Sequence, residues 1–205
     1  MKNILHSAKA VIVIFSLFVL IFSCTKIQYI QVDYRLPPEK VDLKGKKVLL
    51  TFQDNRTPKN ILGAGAKSDY KNFSNNFSYS LARGTDKGFK IGVFDLPDLF
   101  MEAFTNRLEN SGLTVLKEKG GEDAEMVIVL NEFLLDRVNL TWKFSMAYEV
   151  KLIKEGKVAT TQMKTGEGER LKLLGRKEAD TVVGETFTDM VNQLNVERLF
   201  QQGGL

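Results

Sequence analysis

WKFSMAYEVKL, residues 142–152, alternates large apolar side chains with mostly polar ones: Trp142, Phe144, Met146, Tyr148, Val150 and Leu152 fall on every second position. A strand places successive side chains on opposite faces, so this spacing predicts one buried and one solvated face. One-sided burial belongs to antiparallel or mixed sheets, because strands of an all-parallel sheet are covered on both sides and read as continuous apolar runs. Downstream, Glu155 and Gly156 predict a tight turn into KVATTQMKT, the second arm of a hairpin. Upstream, a long apolar run from Glu125 to about Val138 supplies a neighbouring strand, and the GGEDA stretch turns the chain into it.

Two helices complete the pattern. Asp95 is placed to cap an N-terminus and Pro97 suits a first turn, while Leu96, Leu99, Phe100, Ala103, Phe104 and Leu108 recur at three and four; Gly112 ends the helix. Near the C-terminus Ala179, Val182, Val183, Phe187, Met190, Val191 and Leu194 form one stripe. KKVLLTFQDNR reads as a buried strand over Val48–Phe52, and LTVLKEK as a short one. The expected fold class is α+β, a two-layer sandwich of a mostly antiparallel or mixed sheet with two helices on one face. The expected organisation is a leader at 1–23, an extended segment at 24–46 and a single domain at 47–205.

Before that domain, IQYIQVDYRLPPEK sets Ile30, Val32 and Tyr34 on alternate positions ahead of Pro37 and Pro38. It reads as a first strand or as a stiff tether. Within the domain, the connection from Thr57 to Phe94 is far longer than the 2 to 6 residues usual between strand and helix. Phe73, Phe77, Tyr79 and Leu81 share one face of an alternating segment there, with Asn75, opposite Ser74, Asn76, Ser78 and Ser80. Two readings stand: an aromatic face that docks a protein, lipid or glycan, or an insertion packed on its own domain. Asp54 and Arg56, two apart at a strand end, likewise either recognise a partner's charged group or close a local turn and ion pair.

Chemistry is narrowed by what is missing. The one histidine, His6, lies in the predicted leader and Cys24 is the only cysteine, which leaves no Ser-His-Asp triad, no Cys-His pair and no histidine-ligated zinc site. No cofactor, metal or disulfide is called for. GAGAKS at 63–68 departs from a phosphate loop, which needs glycines where Ala66 and Ile61 stand, and reads as a flexible loop. Glu122, Asp123, Glu125, Glu167 and Glu169 could supply the two carboxylates of a cell-wall glycan-acting enzyme, the alternative to a non-enzymatic role.

The N-terminus speaks to location. Lys2 and Lys9 precede AVIVIFSLFVLIF, an uncharged run from Ala10 to Phe22 that is short of the ~20 residues needed to span a bilayer. It reads as an export signal. Ile21, Phe22 and Ser23 lead into Cys24, a boundary that resembles the bacterial lipobox. The resemblance implies diacylglyceryl transfer to the Cys24 thiol, cleavage after Ser23 and acylation of the new amino terminus. Two or three chains together make such attachment stable. Thr25 rather than Asp follows the cysteine, which by the usual sorting of such lipoproteins implies the periplasmic face of the outer membrane. Loss of Lys2 and Lys9 leaves 27 basic against 25 acidic residues, and the exported compartment argues against nucleic acid; Lys40, Lys44, Lys46 and Lys47 read either as facing anionic head groups near the anchor or as solvated surface.

The order of these features resembles the YajG-like bacterial lipoprotein family: a leader with lipobox, an extended segment ending in LPP, a strand ending in F-x-D-x-R at Phe52, Asp54 and Arg56, a helix leading to SGLTV, the strand AEMVIVLNEFLLD, a hairpin and a C-terminal amphipathic helix. The likeness spans most of residues 20–200. It implies class and compartment only, an envelope lipoprotein; the expectation of a binding, scaffold or auxiliary role, with an envelope protein as partner or a lipid or glycan as ligand, rests on the missing catalytic motifs. The family carries no established reaction, and the long 57–94 connection departs from its pattern. The apolar patterns and the D-x-R also recur among auxiliary lipoproteins of lipid-transport systems.

Overall fold

The computed structural model describes residues 27–38, 43–173 and 175–205. Cys24, residues 1–23 that read as a leader, and Lys40 lie outside them. In chain order the elements are β1 (Gln28–Leu36), β2 (Lys47–Asp54), α1 (Ala64–Lys67), β3 (Phe73–Arg83), β4 (Phe89–Phe94), α2 (Leu96–Glu109), β5 (Thr114–Leu116), β6 (Ala124–Val138), β7 (Thr141–Lys154), β8 (Lys157–Leu171), α3 (Lys177–Asn192) and α4 (Val196–Gln202). The class is α+β, as the alternation at 142–152 requires.

The strands form two mixed sheets. A five-stranded sheet has the order β5-β2-β6-β7-β8, with β2 parallel to both β5 and β6 and the β6-β7-β8 meander antiparallel. Trp142, Phe144, Met146, Tyr148, Val150 and Leu152 are all buried on one side of β7. A second sheet, β1-β3-β4, pairs β1 parallel to β3 and β3 antiparallel to β4. Helices α2 and α3 touch strands of both sheets. The shared core is rich in rings: Phe133 meets Phe77, Phe100 and Phe144, and Phe104 meets Tyr148 at 5.4 Å.

Local chemistry sets the helix ends. Asp95 caps α2 by accepting from the Asp98 N–H at 2.9 Å, Pro97 sits in its first turn, and Gly112 leaves the helix at φ +87°. The segment Gln28–Leu36 is a strand, not a tether. Its inward row of Ile30, Val32, Tyr34 and Leu36 is buried. Being at a sheet edge, β1 has unpaired backbone groups, and α3 supplies partners for them. Asp180 accepts from the Gln31 N–H, Thr188 accepts from Arg35 N–H and donates to Asp33 C=O, and Asn192 donates to Arg35 C=O. A helix laid along a strand edge removes it as a template for other chains.

Gly184 makes this approach possible, because a Cβ there would stand 3.3 Å from the Asp33 nitrogen. Gly184→Val is expected to push α3 off β1 at a cost of about 1–3 kcal/mol, the range of overpacked cores. A urea midpoint lowered with unchanged slope is the expected reading; an unshifted midpoint would mean the helix yields freely.

Two expectations are corrected. GAGAKS is an ordered turn and short helix, not a flexible loop: the N–H groups of Gly65 and Ala66 donate to the Asp136 carboxylate at 2.9 and 3.1 Å, and a Cβ on Gly65 would run into the Arg137 carbonyl. The lysines Lys44, Lys46 and Lys47 do not lie near the chain's point of emergence toward Cys24. β1 runs nine residues, about 30 Å at 3.3 Å each, away from that point before they occur. They sit instead beside the start of β6, where Lys47 C=O accepts from Asp123 N–H at the end of the sheet occupied by the β7–β8 turn.

Candidate functional site

A cleft of about 490 Å³ opens where β2 ends, bounded by the loop after it, by Tyr70, Phe73 and Asn75, and by the N-terminus of α2. It lies outside the carboxyl end of a strand in the parallel part of the sheet, a common ligand position in α/β sheets. Both D-x-R residues line it.

The pair is committed to itself. Arg56 Nε and Nη2 each donate to an Asp54 carboxylate oxygen at 3.0 Å, and the Arg56 backbone N–H donates to the same carboxylate at 3.1 Å. Nη1 donates to the carbonyls of Asn60 and Phe133 at 3.5 and 3.4 Å. The guanidinium is only 6 % exposed, so its fork clamps the 54–60 loop to β6 instead of facing a partner. The Arg56 hydrogen bond, the largest influence, holds the Asp54 carboxyl below the usual carboxylate range.

What remains accessible is a polar rim on an apolar floor. Lys59 and Lys67 are exposed, Lys59 Nζ standing 3.9 Å from Asp54, and Ile61, Leu62, Tyr70, Phe73 and Leu96 lie beneath. Asp95 at the rim is occupied as a helix cap. This arrangement can hold a small polar or anionic group by charge and ring contact; its charged side chains are engaged with one another or exposed. Sequence reading named Asp54 and Arg56 as candidates and passed over Lys59, Asn60 and Lys67, which share the cleft with them. Their signal was position, the loop that leaves a strand in a parallel pair.

The aromatic insertion is corrected as an open face. Phe77, Tyr79 and Leu81 are buried, Phe73 is half-buried, and the row points at the five-stranded sheet, with Phe77 edge-on to Phe133 at 5.5 Å. Parallel pairing of β3 with β1 turns both apolar rows the same way. Asn75, at φ +60°, bulges out of the alternation and is exposed.

The five acids considered for glycan chemistry fall into two groups. Glu125 pairs with Ile153 near one end of β7, while Glu169 pairs with Lys143 near the other, about 33 Å away at 3.3 Å per residue. Glycosidase carboxylates stand about 5–9.5 Å apart, so no pair forms between the groups. Glu169 is ion-paired to Lys143 at 2.5 Å and Asp123 accepts from Lys47 N–H at 2.7 Å. Among the described residues no cluster of three or more His, Cys, Asp or Glu is set to hold a metal, and no helix is long and apolar enough to cross a membrane.

No family model and no curated protein matches this sequence. In fold the chain is similar to a Xanthomonas campestris protein of the family model DUF330, at 12% identity and TM-score 0.55, covering 88% of this chain and 97% of that one. Lower-scoring likenesses include lipoprotein GNA1162 of Neisseria meningitidis, at 9% identity and TM-score 0.39 over 73% of this chain and 97% of that one. A minor lipoprotein of Acinetobacter baumannii is similar at 12% identity and TM-score 0.35, over 78% and 91%. At such identities the likeness is one of fold.

Proposed function

We propose that this chain is a YajG-like envelope lipoprotein, held by acylated Cys24 on the periplasmic face of the outer membrane, whose domain acts as a binding or scaffold component of an envelope assembly and not as an enzyme. The observation that carries the reading is the lipobox-like boundary at 21–24 placed directly before a structural strand. Gln28 begins β1, which is bound by β3 on one side and α3 on the other. An anchor at Cys24 thus holds the domain close to the bilayer, as a component working at the membrane surface requires. The cleft beside Lys59 and Lys67 is the ligand-sized opening such a component offers to a polar or anionic group; its two carboxylates, Asp54 and Asp95, are engaged by Arg56 and by the N-terminus of α2.

Cells fed a tagged fatty acid are expected to label the wild-type protein and not Cys24→Ala, which accumulates unprocessed and leaves the outer-membrane fraction. An unlabelled wild-type protein would sink the reading.

A further inference from the structure

The two ends of the five-stranded sheet expose different chemistry. The end that carries the β7–β8 turn presents Lys154 and Lys157, with Lys46 and Lys47 beside the start of β6, and exposes Val158 as an apolar side chain. The opposite end gathers Ile27, the 69–72 turn, the β6–β7 turn at Asn139 and Leu140, the end of β8 and the start of α3. Direct bonds hold these pieces together. Gln28 N–H donates to Asn72 C=O at 3.1 Å and Lys172 N–H to Leu140 C=O at 2.7 Å. Lys172 stands over Trp142 and Arg176 over Tyr70, while the Trp142 and Tyr70 rings meet at 6.0 Å.

This end is apolar at its tips and basic around them. Ile27, Val138, Leu140, Leu171 and Leu173 are all about half exposed or more, from 48 % at Val138 to 70 % at Leu173. Lys71 and Lys177 are exposed, and Lys172 and Arg176 half-exposed, beside them. The outward charge at this end is that of Lys71 and Lys177, because Lys172 and Arg137 are ion-paired to Asp69 at 2.5 and 2.6 Å and Arg176 faces the Tyr70 ring and the Asp180 charge; Asp180 itself accepts from Gln31 N–H and Tyr70 Oη, and Glu178 has one carboxylate oxygen buried.

We infer that this end is the face the domain lays on the bilayer, its leucines at the boundary of headgroups and acyl chains and its cations on anionic phospholipid. The inference rests on acylation of Cys24. Given that, covalent geometry selects the occupant: the three residue steps from Cys24 to Ile27 reach at most about 11 Å. The other end of the molecule is the length of β6 away, about 50 Å for 15 residues. Exposed apolar side chains ringed by lysine and arginine match an interfacial membrane surface, where basic residues near anionic lipid are attracted and apolar ones partition below the headgroups.

The test uses the full, acylated protein. Cys24 is the only cysteine and its acylation removes the only thiol, so one introduced cysteine is a unique labelling site. Leu140→Cys, Leu173→Cys and, at the far end, Lys157→Cys are labelled with an environment-sensitive fluorophore. Each is reconstituted into phosphatidylethanolamine and phosphatidylglycerol vesicles carrying nitroxide lipids near the headgroups. The expected result is a blue shift with quenching at 140 and 173 and neither at 157. In the Lys71→Glu, Lys177→Glu background the shift at 140 is expected to shrink.

Vesicle-bound protein quenched equally at all three sites, or most at 157, would overturn the membrane face. So would a shift at 140 and 173 without quenching, which would mean that protein, a second copy included, covers this end. A parent protein that takes up label at Cys24 and washes off the vesicles would overturn the anchor and the face together.

Discussion

Phe77→Ala is expected to lower stability by about 3–5 kcal/mol, the range for removing a buried aromatic ring. The ring is fully buried and packs edge-on against Phe73 at 6.1 Å and Phe133 at 5.5 Å, joining the small sheet to the large one. Alanine leaves a void between rings that are themselves held, Phe133 by Phe100 and Phe144 and Phe73 by Tyr70, so little collapse can refill it. For a domain of this size the loss corresponds to a melting point lower by roughly 6–20 °C. Phe89→Ala, at the same sheet's exposed edge, is expected to stay within about 0.5 kcal/mol. Parallel melts of the two variants check the contrast; equal small shifts would mean that the insertion is not part of the core.

Arg56→Met is expected to cost about 3 kcal/mol, the lower end for breaking a buried pair, because Asp54 then keeps only the longer contact to the exposed Lys59 at 3.9 Å. Two backbone carbonyls, those of Asn60 and Phe133, lose a donor at the same time. A pH signature separates this loss from general loosening. The Asp54 carboxyl is held below its ordinary value, first by the Arg56 hydrogen bond, so the folded state binds its proton less readily than the unfolded chain. Its contribution is therefore complete above the ordinary carboxylate pKa and is lost as pH falls through the depressed one. Denaturation curves taken downward from about pH 4 should fall less steeply in Arg56→Met than in wild type. An unchanged acid slope would show that the pair does not couple to folding.

How much of this was legible depends on range. Period-two burial in β7, the Asp95 cap and the α3 stripe are local patterns, each set by neighbours within a few residues, and each appears where its spacing places it, except that Leu194, buried as expected, lies past the end of α3 at Asn192. The alternation of Phe73, Phe77, Tyr79 and Leu81 was equally legible as a strand. What covers its apolar side was not, because that depends on Phe133 and on β1, some 40 to 60 residues away in sequence. The same holds for Arg56: its partner could be guessed locally, while its grip on the Phe133 carbonyl arises only from the β2–β6 pairing. α4 was missed because VERLFQQ is too short to show a period, although Asn195 accepts from Arg198 N–H as a cap. The lysines after β1 were misplaced for a simpler reason, since distance along the chain ignores the length of a rigid strand.

The clamping of β1 has a mechanical meaning. A protein tethered by its first residues receives every tug from the membrane along that strand. Here the load would not peel bonds open singly, as at a free hairpin end. It would pass in shear into the backbone ladder with β3 and into the Asp180, Thr188 and Asn192 grips of α3 together. Extraction of the strand would therefore require many bonds to fail at once, and under the proposed anchoring α3 would fasten the N-terminal leash.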